Sequence, residues 1–445
     1  MLAAVLLLAW SSPASARTGS LVADINPGAA DSFPNQLANV RGTLFFAATD
    51  PTHGTELWRS DGTAAGTRLV SDIVPGSDGS DPFDLTNVGG TLFFSASDPA
   101  HGDELWRSDG TAAGTRLVRD ILPGADSSFP RWMTNVGGTL FFAAYSSAGR
   151  ELFRSDGTAA GTRLVRDIAS GPRDSFPEEL VNVGGRLFFR ATNRAHGAEL
   201  WRSDGTRATT KLVADIRRGR ADGFPSDITN VRGTAFFRAD GGKRGRELWK
   251  SNGTTRGTKQ VRDIRRGHRS SSPDWLTNVG GKLFFSADTT PQGRELWRSK
   301  GTPRGTKQVR DIHRGRKSSS PRWLTNVGGE LFFRAHDAAH GKELWRSNGK
   351  RKGTKLVRDI VSGGGSSEPS ALTKAAGTLF FSASDASGGD VLWSSNGTAA
   401  GTRPVRDIAT GHRIADPFDL VNAGGTLFFD AFDLAHGEEL WKSVP

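Results

Sequence analysis

The amino-acid sequence predicts an all-β fold, a single-ring β-propeller of nine four-stranded blades with about 48 residues each. The first observation behind this prediction is a repeat. A tryptophan, replaced once by Phe153, returns in steps of 47 or 48 residues, at positions 58, 106, 153, 201, 249, 297, 345, 393 and 441. The second observation is that each repeat holds four apolar runs of strand length and shows no helical periodicity.

The strands of the first complete repeat follow one another closely. Its apolar runs at 37–40, 43–48, 56–60 and 69–73 are short, and Gly, Asp, Asn or Pro bound each of them. Most repeats have Gly-Gly between the first two runs, which suits a tight hairpin. The loop at 61–67 begins with Asp-Gly. This pair favours a second turn, because Asp bonds its own backbone and Gly adopts left-handed geometry.

The third observation concerns the faces of the strands. Leu44, Phe45 and Phe46 are consecutive, so in a strand they point to both faces of the sheet. A sheet with large apolar side chains on both faces must be covered on both faces. Since no helices are predicted, the cover must come from neighbouring sheets, and this favours the stacked blades of a propeller.

The two ends of the chain predict how the ring closes. Residues 21–25 match the last strand of a repeat, and residues 439–443 match the third strand. If both segments share one blade, the N-terminal strand becomes its outer strand and the ring has no open end. We therefore predict one propeller domain over residues 17–445. An eight-bladed ring with one odd unit and an open β-solenoid are the alternatives.

Residues 1–16 have the pattern of a signal peptide. An apolar run at 2–10 is followed by the small residues Ala14, Ser15 and Ala16. We therefore expect a secreted protein, extracellular or periplasmic. The run is shorter than the about 20 residues that a spanning helix needs, so no membrane span is predicted. The chain has no cysteine, which excludes disulfides and thiolate metal sites.

The repeated motif is Glu-Leu-Trp-x-x-Asp-Gly-Thr, complete at Glu56–Thr63, Glu104–Thr111 and Glu199–Thr206. It resembles the ELWxxDGT repeat family of secreted bacterial proteins over about residues 21–443. Phe153 and Val391 are among the departures from the motif. The resemblance implies a propeller-like repeat fold, but this family supplies no catalytic residues that could be carried over.

A first group of candidate site residues lies in the loop between the second and third strands. Several repeats have Asp and His three residues apart there, and both residue types can bind metal: Asp50, His53, Asp98, His101, Asp337, His340, Asp433 and His436. Each repeat supplies only one pair. An Asp-nucleated turn with a His packed on it is therefore the favoured interpretation, and we expect no metal and no cofactor.

A second group of candidates is basic. The net charge of +11 conceals a polarised chain, since residues 202–358 hold most of the Lys and Arg. We define the basic sector as the loop residues Arg217, Arg218, Arg220, Lys243, Arg244, Arg246, Arg265, Arg266, Arg269, Arg314, Arg316 and Lys317. Arg is suited to bidentate contacts with carboxylate or phosphate. A merely solvated basic surface is the alternative.

These observations favour a secreted, non-enzymatic binding or scaffold propeller. Its partner would be an anionic polysaccharide, envelope phosphate or an acidic protein, contacted through the basic sector. No sequence-specific nucleic-acid binding is expected, because the basic loops lack interleaved aromatic residues, and a monomer is expected. One alternative is a propeller-type glycan hydrolase or lyase with a central site that the repeat does not reveal. Another is a structural component of an extracellular layer.

Overall fold

The structure is a computed structural model that describes residues 17–407 and 409–444. The predicted signal peptide at 1–16 lies outside the described residues. Within them the chain forms strands and one short 3-10 helix, Arg351–Gly353, and it has no α-helix. The all-β prediction is therefore confirmed. No helix in the described part is long and apolar enough to cross a membrane.

The strands are short and follow a fixed order along the chain. They are β1 (Thr18–Ala23), β2 (Asn35–Val40), β3 (Thr43–Asp50), β4 (Gly54–Ser60), β5 (Arg68–Ser71), β6 (Phe83–Val88), β7 (Thr91–Asp98), β8 (Gly102–Ser108), β9 (Arg116–Arg119), β10 (Arg131–Val136), β11 (Thr139–Ser146), β12 (Gly149–Ser155), β13 (Arg163–Arg166), β14 (Glu178–Val183), β15 (Arg186–Asn193), β16 (Gly197–Ser203), β17 (Lys211–Ala214), β18 (Ser226–Val231), β19 (Thr234–Asp240), β20 (Arg246–Ser251) and β21 (Lys259–Arg262). They continue with β22 (Asp274–Val279), β23 (Lys282–Thr289), β24 (Gly293–Ser299), β25 (Lys307–Arg310), β26 (Arg322–Val327), β27 (Glu330–Asp337), β28 (Gly341–Ser347), β29 (Thr354–Arg358), β30 (Ser370–Ala375), β31 (Thr378–Ser384), β32 (Asp390–Ser395), β33 (Thr402–Pro404), β34 (Arg406–Asp407), β35 (Ala415–Ala423), β36 (Thr426–Asp433) and β37 (Gly437–Val444).

Seven consecutive units have the same sheet. Unit one is β2–β5, unit two is β6–β9, and the series continues to unit seven, β26–β29; each is a four-stranded sheet in which successive strands pair. The pairing is antiparallel, as between Phe46 and Trp58 of unit one. Register shifts recur at the same places, for example between Asn35 and Ala38 and between Leu57 and Trp58. The repeat in sequence is thus a repeat in strand register.

The rest of the chain departs from this plan. Unit eight (β30–β34) and unit nine (β35–β37 with β1) belong to one nine-stranded sheet, so strand pairing does not give the nine equal blades that the sequence predicts. A bridge between Val391 and Ala415 joins the two units. Strand β1 pairs antiparallel with β37 and parallel with β34. The sequence predicts this N-terminal strand at 21–25, whereas the structure has it at Thr18–Ala23.

Apolar side chains on both faces of each sheet pack against neighbouring sheets. Phe46 contacts a cluster that includes Phe428 of unit nine, and Phe45 belongs to the next cluster, with Phe94 of unit two. Both residues are almost fully buried. The first strands of successive units contact one another, and β35 of unit nine contacts β2 of unit one. The arrangement of the sheets is therefore propeller-like.

A buried glutamate in the third strand joins each sheet to the loop that follows it. Glu247 accepts hydrogen bonds from the backbone N–H of Ile264 at 3.0 Å, the backbone N–H of Ser271 at 3.0 Å and Ser271 Oγ at 2.7 Å. The same glutamate is fully buried in eight units, at positions Glu56, Glu104, Glu151, Glu199, Glu247, Glu295, Glu343 and Glu439. Buried polar groups need such partners, so one carboxyl group fixes the path of each loop.

Unit eight has Val391 in place of this glutamate. It is also the unit whose fourth strand is broken, into β33 and β34. A valine side chain accepts no hydrogen bond, so the loop after unit eight lacks the carboxylate that fixes the other loops. The first unit without a separate four-stranded sheet is therefore the unit that lacks the buried glutamate.

Burial also changes the acidity of these glutamates. Desolvation raises the pKa of Glu247 to about 7, although its backbone and Ser271 hydrogen bonds act in the opposite direction. The pKa values of Glu56, Glu151, Glu199, Glu295 and Glu439 are raised to about 7 for the same reason.

We expect Glu247→Gln to lower the free energy of unfolding by about 1–3 kcal/mol, because the amide NH₂ would face the N–H donors that the carboxyl accepts. Urea unfolding of both proteins measures the difference. The matched control is Glu330→Gln, at a partly exposed ion pair with Arg346, for which we expect a loss within about 0.5 kcal/mol. Equal effects of the two substitutions would contradict this role.

We also expect the protein to become more stable on acidification from pH 8 to pH 5. A carboxyl whose folded pKa lies near 7 binds its proton more tightly in the folded chain than in the unfolded chain, where its pKa is about 4.3. The contribution of these carboxyls to the free energy of unfolding is therefore fully present below about pH 4.3 and is lost as pH rises to about 7. Urea midpoints measured across this range give the slope, which Glu247→Gln should reduce. A higher midpoint at pH 8 than at pH 5 would contradict it.

Candidate functional site

One face of each sheet carries a polar layer in which the units differ. Three positions form it: the fourth residue of the second-strand apolar run, the start of the third strand, and the start of the next unit's first strand. In unit two these are Ser95, Asp103 and Arg131. Arg131 Nη2 lies 3.0 Å from Asp103 Oδ2, and Arg131 Nη1 donates to Ser95 Oγ at 2.8 Å. An arginine from the next unit thus neutralises the acid of this layer.

Arginines of this layer pair with acids in several other units. Arg190 contacts Glu178, Arg294 lies 2.7 Å from Asp288, and Arg334 lies 2.9 Å from Glu368. Each of these acids therefore faces a permanent positive charge.

Unit nine places two acids in this layer without an arginine. Asp430 takes the position of Ser95, Glu438 takes that of Asp103, and Asn35 of unit one takes that of Arg131. The Asn35 side chain donates to the carbonyl oxygen of Phe33 at 2.9 Å instead of reaching the acids. Asp430 is only 5% exposed. Its Oδ1 atom is buried and has no hydrogen-bond partner in the described part of the chain.

The setting of Asp430 makes its carboxyl group a weak acid. Its pKa is raised to about 8, chiefly by burial. The hydrogen bond to Glu438 and the electrostatic repulsion by Glu438 and Asp419 act in the same direction. Two carboxyls that share one site cannot both ionise at low cost. At neutral pH Asp430 therefore keeps its proton.

A protonated acid beside a second carboxyl group is an arrangement that general acid and general base chemistry uses. We call Asp430 and Glu438 the acid pair. Phe418, which is 60% exposed, pairs with Asp430 across the sheet, so the acid pair lies beside an open aromatic ring.

The acid pair was not predicted from the sequence. A signal was present, because Asp430 is the only acid among the nine equivalent positions, which hold Ala47, Ser95, Ala143, Arg190, Arg238, Ser286, Arg334, Ser382 and Asp430. Comparing the repeats column by column would have found it. The replacement of the arginine partner by Asn35 becomes visible only when unit one is placed next to unit nine.

The residues of the basic sector lie in loops after the fourth strands of units four, five and six, and in the β19–β20 loop. Ten of the twelve are exposed, while Arg217 and Arg265 are partly buried. Arg217 Nη1 lies 3.1 Å from Asp240, and Arg265 Nη1 donates to the carbonyl oxygen of Ser270 at 3.4 Å. Arg244 lies 3.9 Å from Asp263. Part of the positive charge of the basic sector is thus paired with acidic or carbonyl groups of the protein itself.

The Asp–His pairs each close their own loop. Asp50 Oδ1 accepts from the backbone N–H groups of Thr52 and His53, and Asp50 Oδ2 lies 2.7 Å from His53 Nδ1. The corresponding imidazole–carboxylate distances are 2.8 Å for His101 and Asp98, and 2.9 Å for the pairs His340 with Asp337 and His436 with Asp433. The hydrogen bond that His53 donates to Asp50 raises the pKa of His53. No group of three metal-ligating side chains occurs among the described residues.

The comparisons with known proteins give remote structural likeness only. No family model and no curated protein matches the chain. Among solved structures it is similar to a puromycin hydrolase, with 14% identity, a TM-score of 0.40 and coverage of 84% of this chain and 61% of that one. It is similar to a puromycin-hydrolyzing peptidase of Mycobacterium tuberculosis, with 10% identity, a TM-score of 0.38 and coverage of 85% and 63%. It is also similar to a prolyl endopeptidase, with 14% identity, a TM-score of 0.42 and coverage of 79% and 53%.

These comparisons contradict the main functional prediction. The sequence favours a non-enzymatic scaffold, whereas the similar structures are those of hydrolases and peptidases. The prediction rested on the bulk charge of the basic sector, and these neighbours contradict it. The chain spans between 53% and 63% of the matched chains, and TM-scores near 0.4 transfer neither an activity nor a substrate to it.

We expect Asn35→Arg to bring the pKa of Asp430 from about 8 down toward the usual range of an aspartate. The substitution restores the guanidinium that Arg131 supplies to unit two, and an opposite charge nearby favours the ionised carboxyl. Carbon-13 NMR titration of the carboxyl groups, with Asp430→Asn used for assignment, measures the shift. Asn87→Arg, in β6 of unit two, is the control and should leave Asp430 unchanged. An unaltered pKa of Asp430 in Asn35→Arg would contradict the placement of residue 35 beside the acid pair.

Proposed function

We propose that the chain is a glycan hydrolase whose chemistry is carried out by the acid pair Asp430 and Glu438. One observation carries this proposal: in unit nine the polar layer holds two adjoining carboxyl groups, one of them buried, where Arg131 neutralises the layer of unit two. Such a charge arrangement is costly for stability and is typical of catalytic groups.

The roles of the two carboxyls follow from their surroundings. Asp430, protonated at neutral pH because it is buried, donates its proton to the glycosidic oxygen as the bond to the sugar carbon breaks. Glu438 takes a proton from the water that attacks the sugar carbon. This is the inverting route, in which the water enters between two carboxyls about 6.5–9.5 Å apart, so the hydrogen bond between Asp430 and Glu438 must open as the sugar and the water bind. The exposed ring of Phe418 beside them offers a stacking surface for a sugar.

A second candidate is peptide hydrolysis, and the hydrogen bond between Asp430 and Glu438 favours it. Two carboxyls that share one proton also activate water in aspartic peptidases. The glycan proposal ranks first because the pair adjoins exposed aromatic rings, Phe33 and Phe418.

The proposal also concerns the architecture. We propose that nine units form one closed ring over residues 17–445, which places Asn35 of unit one beside the acid pair of unit nine. The contact of β35 with β2 and the pairing of β1 with β37 support this proposal. We also propose that the chain belongs to the ELWxxDGT family, which the repeated motif supports. We propose further that it is secreted after cleavage at residue 16, which the N-terminal sequence supports.

We expect Asp430→Asn and Glu438→Gln each to lower kcat/KM by a factor of about 10²–10⁴, because each removes one of the two proton-transfer groups. Activity should also fall as pH rises through about 8, where Asp430 loses its proton. The assay measures reducing ends released from a polysaccharide panel, with a mixed peptide library in parallel.

The matched control is Asp103→Asn, which changes the acid of unit two at the position equivalent to Glu438. Its activity should equal that of the unmodified protein. Full activity of Asp430→Asn would contradict the glycan proposal. Cleavage of the peptides alone, lost in Asp430→Asn, would support the second candidate instead.

A further inference from the structure

An arc of exposed phenylalanines runs along one face of the protein. Its members lie at or just before the start of the first strands and are 42–60% exposed: Phe33, Phe83, Phe129, Phe176, Phe224 and Phe418. We call them the aromatic arc. Six units, nine and one to five, contribute one ring each, and they are consecutive in the cycle of first-strand contacts. Units six, seven and eight have no aromatic residue at the equivalent positions, which hold Ser272 and Asp274, Ser320 and Arg322, Glu368 and Ser370.

The backbone does not account for these phenylalanines. Phe33, Phe129, Phe176 and Phe224 have positive φ values of 45–48°, a left-handed conformation that is unfavourable for a bulky side chain. Other units have the same φ with small or polar residues there, such as Ser272 at 41° and Asp81 at 48°. The position has a positive φ in all nine units, so the fold imposes this conformation whichever residue is present and does not require phenylalanine. Half-exposed rings that the fold does not require indicate a surface that binds something.

Polar groups accompany the rings. The guanidinium of Arg131 lies over Phe83, 4.7 Å from the ring centroid, and 6.0 Å from the centroid of Phe129. Apolar ring faces next to hydrogen-bonding groups match a pyranose, which has an apolar C–H face and a rim of hydroxyls.

The arc leads to the acid pair. Phe418 pairs with Asp430 across the sheet. From unit one, the backbone N–H of Ser32, which precedes Phe33, donates to the carbonyl oxygen of Glu438 at 3.0 Å. The segments that carry Phe33 and Phe418 therefore adjoin the strands that carry the acid pair.

We infer that the aromatic arc is an extended binding track for a polysaccharide chain, which stacks on successive rings and presents one glycosidic bond to Asp430 and Glu438. The inference rests on the proposed function and goes beyond it by specifying a polymeric substrate bound at several sites. A small glycoside would contact only the rings of Phe33 and Phe418.

The test is native affinity electrophoresis of the full chain in gels containing hydroxyethyl cellulose, xylan, soluble starch, laminarin or polygalacturonate. We expect at least one of these polymers to retard the protein. Phe129→Ser and Phe176→Ser should each weaken binding about tenfold, a typical effect of losing one aromatic contact. Their thermal midpoints should be unchanged or higher, because serine occupies the same backbone conformation at Ser272 and Ser320.

Leu434→Ser is the matched control. It removes an apolar side chain that is 89% exposed and lies outside the arc, and its retardation should equal that of the unmodified protein. No retardation by any polymer, or unchanged retardation of Phe129→Ser and Phe176→Ser, would overturn the inference.

A second arm separates this inference from the proposed function. Asp430→Asn should still be retarded while it releases no reducing ends. Retardation that depends on the arc, combined with full activity of Asp430→Asn, would support the track and reject the catalytic role. Cleavage of short glycosides that depends on Asp430, without retardation by polymers, would support the catalytic role and reject the track.

Discussion

The buried glutamate of the third strand is the interaction on which the rest of the structure depends. In eight units a fully buried carboxyl accepts hydrogen bonds from the loop that leads to the next sheet. Apolar packing between sheets is not directional, so packing alone would not define where each loop goes. The glutamate supplies that direction at the cost of desolvating a carboxyl group. Unit eight, with Val391, shows the outcome without it: a broken fourth strand and a sheet merged with its neighbour.

Much of the fold could be predicted from the sequence, because it is a local property repeated many times. Consecutive Leu, Phe and Phe gave strands that are buried on both faces, as Phe45 and Phe46 are. The N-terminal strand begins at Thr18 and not at 21, since its pairing with β37 extends beyond the apolar run. The burial of Glu247 was not predicted, because a glutamate within a polar motif is usually on the surface.

The candidate site could not be predicted in the same way. Its character depends on a residue that is absent, the arginine that Asn35 replaces, and Asn35 lies at the opposite end of the chain from Asp430. Counting charges emphasised the basic sector, but part of that charge pairs with acids such as Asp240 and Asp263. The units can be compared with one another, because they share one backbone arrangement. At equivalent positions some units have arginine–acid pairs, some have exposed phenylalanines, and unit nine has two acids. Functional residues are therefore expected at the positions where the units differ.

Amide hydrogen–deuterium exchange, measured with and without the polysaccharide that retards the protein most, tests most directly whether the aromatic arc and the acid pair form one binding surface. We predict protection on binding in the segments 32–36, 81–85, 128–132, 175–179, 223–227 and 416–419, which carry the aromatic arc; the first and the last of them adjoin the acid pair. We predict no protection in the Asp-Gly-Thr loops, such as 61–67, or in the basic loops 265–269 and 314–317. Protection confined to the basic loops, with none in the arc, would contradict this assignment of the binding surface.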